Sequence, residues 1–261
     1  HTMVADLERH DEGYLTKFLT DVITDIEKTY GVHVSSMVAD NAPVMDSTMT
    51  AIQKERPMIA HHCSAHWLQL LLKEAFELPA VCECASKSDL IRADFQTKAS
   101  FKALFDACHA FKRRITRIAK PCATRWNSRL DSMIDVLDLE KEILFLKQQK
   151  EWENLCATKG DFDRMREVCE VLAPIANATD VLQSDAAGVL LEADVMTEVE
   201  EAVRSFIDDT DDLKSAIARS LVELLQHRNE KANWEENQRS QAVAKFLSIK
   251  PSRMPTNEVT A

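Results

Sequence analysis

The first sixty residues alternate between a helical and an extended hydrophobic period, and that alternation constrains the fold more than any other feature of the chain. Leu15, Phe18, Leu19, Val22, Ile23, Ile26 and Tyr30 recur at steps of three and four, which predicts an amphipathic helix over 14–30 that Gly31 stops. Val32 to Ala39 is a short apolar, β-branched run broken by Ser35 and Ser36, long enough for a strand and too short for a stable helix. Asp40 falls at its C-terminal end. A second helix starts near Pro43 and turns Met45, Met49 and Ile52 inward, and Pro57 to His62 reads as a second strand. Helix, strand, helix, strand predicts parallel, adjacent strands joined by a crossover helix.

Beyond Ser64 the strand signals fade. Leu68, Leu71, Leu72, Ala75 and Phe76 mark a helix that stops before Pro79; Phe101 to Ile118 is a further candidate, and another begins at Leu130, Met133, Ile134 and Leu137 and runs toward Leu146. Phe162, Met165, Val168, Cys169 and Leu172 form a stripe that ends before Pro174, with helices expected at 175–183, 190–207 and 212–226. With only 4 glycines and 45% apolar residues, the composition favours a mainly α protein with a small α/β part. No apolar run reaches the roughly 18 residues of a membrane span, so no membrane partner is expected. The seven cysteines, an odd number spread through helical patterns, fit reduced thiols and an intracellular protein. Because the chain begins at His1 and a helical pattern follows within fifteen residues, it reads as a fragment.

The formal net charge of -11 argues against a surface that is basic throughout. The charge is unevenly placed. From Lys112 to Arg129 seven residues are basic (Lys112, Arg113, Arg114, Arg117, Lys120, Arg125, Arg129) and none is acidic, whereas Asp180 to Asp212 holds eleven carboxylates against Arg204. A solvated face is the commoner meaning of such runs, but this basic block also contains Trp126.

Three groups can carry chemistry, and each has a structural alternative. Asp40, at the end of a strand, sits where open α/β sheets place ligands and offers a hard oxygen to Mg²⁺; Asp40 or Asn41 can equally cap the next helix, the commoner role for an isolated Asp-Asn pair. Cys63 and His66, three apart at the start of a helix, fall on one face and, with Cys82 and Cys84, make four ligand types of a structural zinc site. The one-residue gap between Cys82 and Cys84 is tight for chelation, so buried cysteine and a hydrogen-bonded histidine stand against zinc. In Thr124-Arg125-Trp126-Asn127-Ser128, Trp126 can stack on an unpaired base while Arg125 and its basic neighbours hold phosphates, or it can pack into a core.

These groups, in this order, resemble the hAT superfamily of DNA transposases and their domesticated relatives. Val38-Ala39-Asp40-Asn41-Ala42-Pro43 is similar to the family's strand ending in Thr-Asp-Asn-Ala. Cys63-Ser64-Ala65-His66-Trp67-Leu68-Gln69-Leu70 matches its Cys-x-x-His-x-Leu-x-Leu segment, and Arg125-Trp126 matches its Arg-Trp pair. Residues 168–182 look like the helix that follows, so the resemblance spans roughly residues 14 to 205.

It implies an RNase H-like core interrupted by a helical insertion, with an Asp-Asp-Glu set holding two divalent ions. Residues 1–62 would then be a partial core and residues 63–261 the insertion region. Asp40 would be the second carboxylate and a Mg²⁺ ligand, Trp126 would stabilise a flipped base, and Arg125 with Lys112, Arg113, Arg114, Arg117, Lys120 and Arg129 would face DNA. The first aspartate and the glutamate of the family pattern have no counterpart here; Asp6, Asp11 and the glutamates of 192–201 are poor substitutes. The expectation is a nuclear or nucleocytoplasmic transposase-like segment that does not catalyse alone, a homo-oligomer in its intact form. A domesticated, non-catalytic interaction module is the alternative, and a zinc-stabilised helical module a third.

Overall fold

The computed structural model describes residues 11–113, 118, 120–122, 127–184 and 189–227. The described residues divide between two units at Cys63 and Ser64.

The first unit opens with α1 (Glu12–Tyr30), capped by Asp11, whose side chain accepts from the Tyr14 amide at 2.7 Å. Gly31 ends it at φ +63°, donating to the Glu27 carbonyl; the left-handed conformation suits a residue without Cβ. Strand β1 (Ser36–Ala39), helix α2 (Pro43–Glu55) and strand β2 (Ile59–His62) follow. The strands pair in parallel, Ser36 opposite Ile59 and Ala39 opposite His62. Proline at the start of α2 sacrifices no helical hydrogen bond. Ile23 of α1, Ile52 of α2 and Met58 form the small core, with Leu19, Val34 and Met37 against it.

Glu27 ties this unit together. Its carboxylate accepts from the Val34 amide at 3.1 Å and from Arg56 at 2.8 Å, and Arg56 also reaches the Thr24 hydroxyl at 2.7 Å. One side chain thus joins α1 to the backbone leading into β1 and to the residue that ends α2.

The second unit is helical: α3 (Ser64–Ala75), α4 (Pro79–Asp94), α5 (Lys98–Ala110), α6 (Asn127–Asp138), α7 (Glu140–Lys147), a 3-10 turn (Lys150–Trp152), α8 (Lys159–Leu182), α9 (Val189–Arg204) and α10 over 212–227. Helix α8 is its axis, packing on α3, α4, α6 and α9. Thr158 and Asp161 cap it reciprocally, and Phe162, Met165, Val168, Leu172 and Ile175 are fully buried along it.

Four helix boundaries depart from the spacing. Pro79 does not merely follow a helix; it begins α4, whose buried stripe of Val81, Cys84, Ala85, Ser88 and Ile91 is too small and mixed to show an apolar period. Helix α5 ends at Ala110, well short of Ile118, because Lys112 enters the left-handed region at φ 55° and the Arg113 amide turns back to the Cys108 carbonyl. The stretch from Leu130 to Leu146 is two helices, since Leu139 breaks the path. Helix α8 runs through Pro174. A proline inside a helix costs about 3 kcal/mol, and burial of Val171, Leu172, Ile175 and Ala176 on both sides offsets it.

Candidate functional site

The carboxyl edge of the parallel pair is where chemistry-bearing side chains collect. Asp40 is the first residue past β1, exposed, and accepts from the Ala42 amide at 3.2 Å. That bond closes an Asx turn; the N-cap of α2 is Ala42, so the first helical amides receive no side-chain cap from Asp40. Six residues on, in the first turn of α2, Asp46 meets His62: Oδ1 lies 2.7 Å from His62 Nε2. This pair joins the crossover helix to the last residue of β2. Periodicity gave no hint of it, because the partners are sixteen positions apart and the apolar pattern marks neither; the usable signal was a carboxylate in the first turn of a helix that leads to a strand ending in His-His.

Cys63 lies outside the helix that the spacing placed it on. Its amide donates to the Ala39 carbonyl at 2.7 Å, prolonging the ladder by one residue, and α3 begins only at Ser64. Its side chain is half-buried, as is His66 within α3. Cys82 and Cys84 point away from each other, as residues two apart on a helix must: Cys82 is exposed and Cys84 is buried. Burial pushes the Cys84 thiol up, and at Cys169 the same cause raises it to about 12. Among the described residues no three His, Cys, Asp or Glu side chains are arranged to hold a metal ion. The zinc arrangement therefore lacks its converging ligands there.

Around the basic segment, Arg114, Arg117, Arg125 and Trp126 lie outside the described residues. Lys112 and Lys120 are exposed. Arg113 and Arg129 have partners within the chain: Arg113 reaches Glu142 and the Asp138 carbonyl, and the Arg129 guanidinium stands 5.1 Å from the centroid of the Phe76 ring. The two last residues of the Arg-Trp motif are pinned. Asn127 donates to the Ala176 carbonyl at 3.2 Å and to Asp180 at 3.1 Å on α8, and the Cys122 amide donates to the Ser128 hydroxyl at 2.8 Å. Carboxylates also crowd here. Burial raises the Asp131 pKa, and the negative charges of Asp180 and Asp135 raise it further. The described surroundings of the motif are thus partly acidic, a setting that weakens phosphate binding at a distance.

Comparison with protein-family models, with curated proteins and with solved structures finds no match to this chain.

Proposed function

We propose that the chain is a segment of a hAT-type, transposase-like protein whose contribution on its own is DNA binding rather than strand cleavage. The observation that carries the reading is the position of Asp40, directly past β1 at the carboxyl edge of two parallel strands. Such an edge is where α/β sheets present ligand-binding groups. The Cys63-x-x-His66 segment follows β2 without a gap, and the residues flanking Arg125-Trp126 are anchored to α8 and to Cys122. That order agrees with the resemblance.

The resemblance brings Mg²⁺ with it, and the described residues do not complete a site for that ion. Asp40 has the right donor, a carboxylate oxygen, but a two-metal centre needs several such groups within reach of both ions. No cleavage step is assigned to this chain. Its function in this reading rests on cations and on Trp126, which would hold phosphates and an unstacked base, and it places the protein in the nucleus or nucleocytoplasm.

The domesticated, non-catalytic interaction module is the second reading. The engagement of Arg113 by Glu142 favours it, because an arginine committed to a buried carboxylate is not available to phosphate. Incubating the chain with Mg²⁺ or Mn²⁺ and hairpin or single-stranded DNA separates the two. Salt-sensitive binding without cleavage supports the first, and absence of binding at low ionic strength supports the second. Cleavage abolished by Asp40→Ala would show that further carboxylates join Asp40.

A further inference from the structure

We propose that α5 is a self-association surface, pairing antiparallel with α5 of a second copy of the chain. The outward side of this helix carries two adjacent rows with a spacing of four. Phe101 and Phe105, 43% and 49% exposed, form one. Lys102 and Asp106, an ion pair at 2.9 Å with side chains 76% and 60% exposed, form the other. Residues four apart stand one above another on a helix, so each row is a ridge that can seat beside the matching ridge of a facing helix.

The order of charges fits a second copy. A two-fold axis crossing α5 reverses the direction of the facing helix, so each row meets itself inverted. The midpoint of the phenylalanine row is residue 103 and that of the charged row is residue 104, about 1.5 Å apart along the helix, so an axis at the level between them lies within about 0.8 Å of both. Phe101 then faces Phe105 of the second copy, and Lys102 faces its Asp106, which closes a ring of four alternating charges. A parallel arrangement would set the charged row of each copy against the phenylalanine row of the other, desolvating the charges without a partner across the interface, and is disfavoured by that cost. With two half-exposed aromatic rings per copy the area falls below the roughly 800 Å² per partner of a stable dimer, so association is weak and reversible.

Sedimentation equilibrium of the whole chain, kept reduced, tests this. The unsubstituted chain is expected to dimerise reversibly as concentration rises, and Phe105→Glu to weaken association at least about tenfold with unchanged helical circular dichroism. The sharper arm uses Lys102→Glu, which makes the charged row wholly acidic, and Asp106→Lys, which makes it wholly basic. Each variant alone is expected to be monomeric, and an equimolar mixture to form a heterodimer. An unsubstituted chain that stays monomeric up to about 1 mM, where the binding free energy would have to be weaker than about 4 kcal/mol, overturns the proposal. So does a mixture that associates no better than its components.

Discussion

An Arg113 guanidinium nitrogen lies 3.4 Å from both carboxylate oxygens of Glu142, a side chain with no exposed surface, and also donates to the Asp138 carbonyl. The turn that ends α5 makes this possible, since the left-handed Lys112 redirects the chain so that Arg113 reaches α7.

Removing the cation should therefore cost more than removing both partners. Arg113→Ala leaves a buried carboxylate without its counter-charge; because the arginine is itself 42% exposed, water compensates in part, and the expected loss is about 1 to 3 kcal/mol. Glu142→Leu combined with Arg113→Ala should recover a large part of it. Urea unfolding of the two single variants and the double variant checks the order; a double-variant loss equal to the sum of the two single losses would show that the pair is not coupled.

Pro174 leads to a second expectation. With alanine there, α8 regains the amide bond to residue 170 that proline cannot make, while the unfolded chain becomes more flexible by roughly 1 kcal/mol. The net expectation for Pro174→Ala is stabilisation by about 1 to 2 kcal/mol, read as a shifted urea midpoint. Destabilisation would mean that the surrounding helices are fitted to the proline ring.

These sites also show what was legible before the structure. Local patterns were readable: the stripe from Leu15 to Tyr30 with Gly31 behind it, the β-branched run into Asp40, and Pro43 opening α2 all report on neighbours in the chain, and β1 and β2 are indeed parallel. Partners far apart were not. Nothing in the order of residues pairs Arg113 with Glu142 or Asp46 with His62, since such contacts depend on how elements pack. Helix α4 stayed hidden because cysteine, alanine and serine fill its buried stripe. The spacing marks α8 as a stripe ending before Pro174 and a separate helix over 175–183, and misses only its continuity, because a local penalty at Pro174 is overridden by tertiary burial.

Glu27 makes the first unit sensitive to acid. The Arg56 hydrogen bond, and after it the Val34 amide, hold its carboxyl below the ordinary value of 4.5. A depressed carboxylate stabilises the fold above its unfolded pKa, and the contribution is lost as pH falls through the folded value. Glu27→Gln should accordingly lower the melting temperature at neutral pH. The gap from the unsubstituted chain should shrink as pH falls below about 4.5. Melting curves across that range check it; a gap independent of pH would assign the effect to shape rather than charge.

The most direct test of the DNA-binding reading is fluorescence anisotropy of a single-stranded oligonucleotide titrated with the chain and with Trp126→Ala at several salt concentrations, alongside their melting temperatures. Weak binding that falls with salt is expected, and Trp126→Ala should weaken it by about 1 to 3 kcal/mol while the melting temperature holds. Binding that ignores salt and Trp126, or a Trp126→Ala chain that melts far earlier because a core residue has been lost, would contradict it.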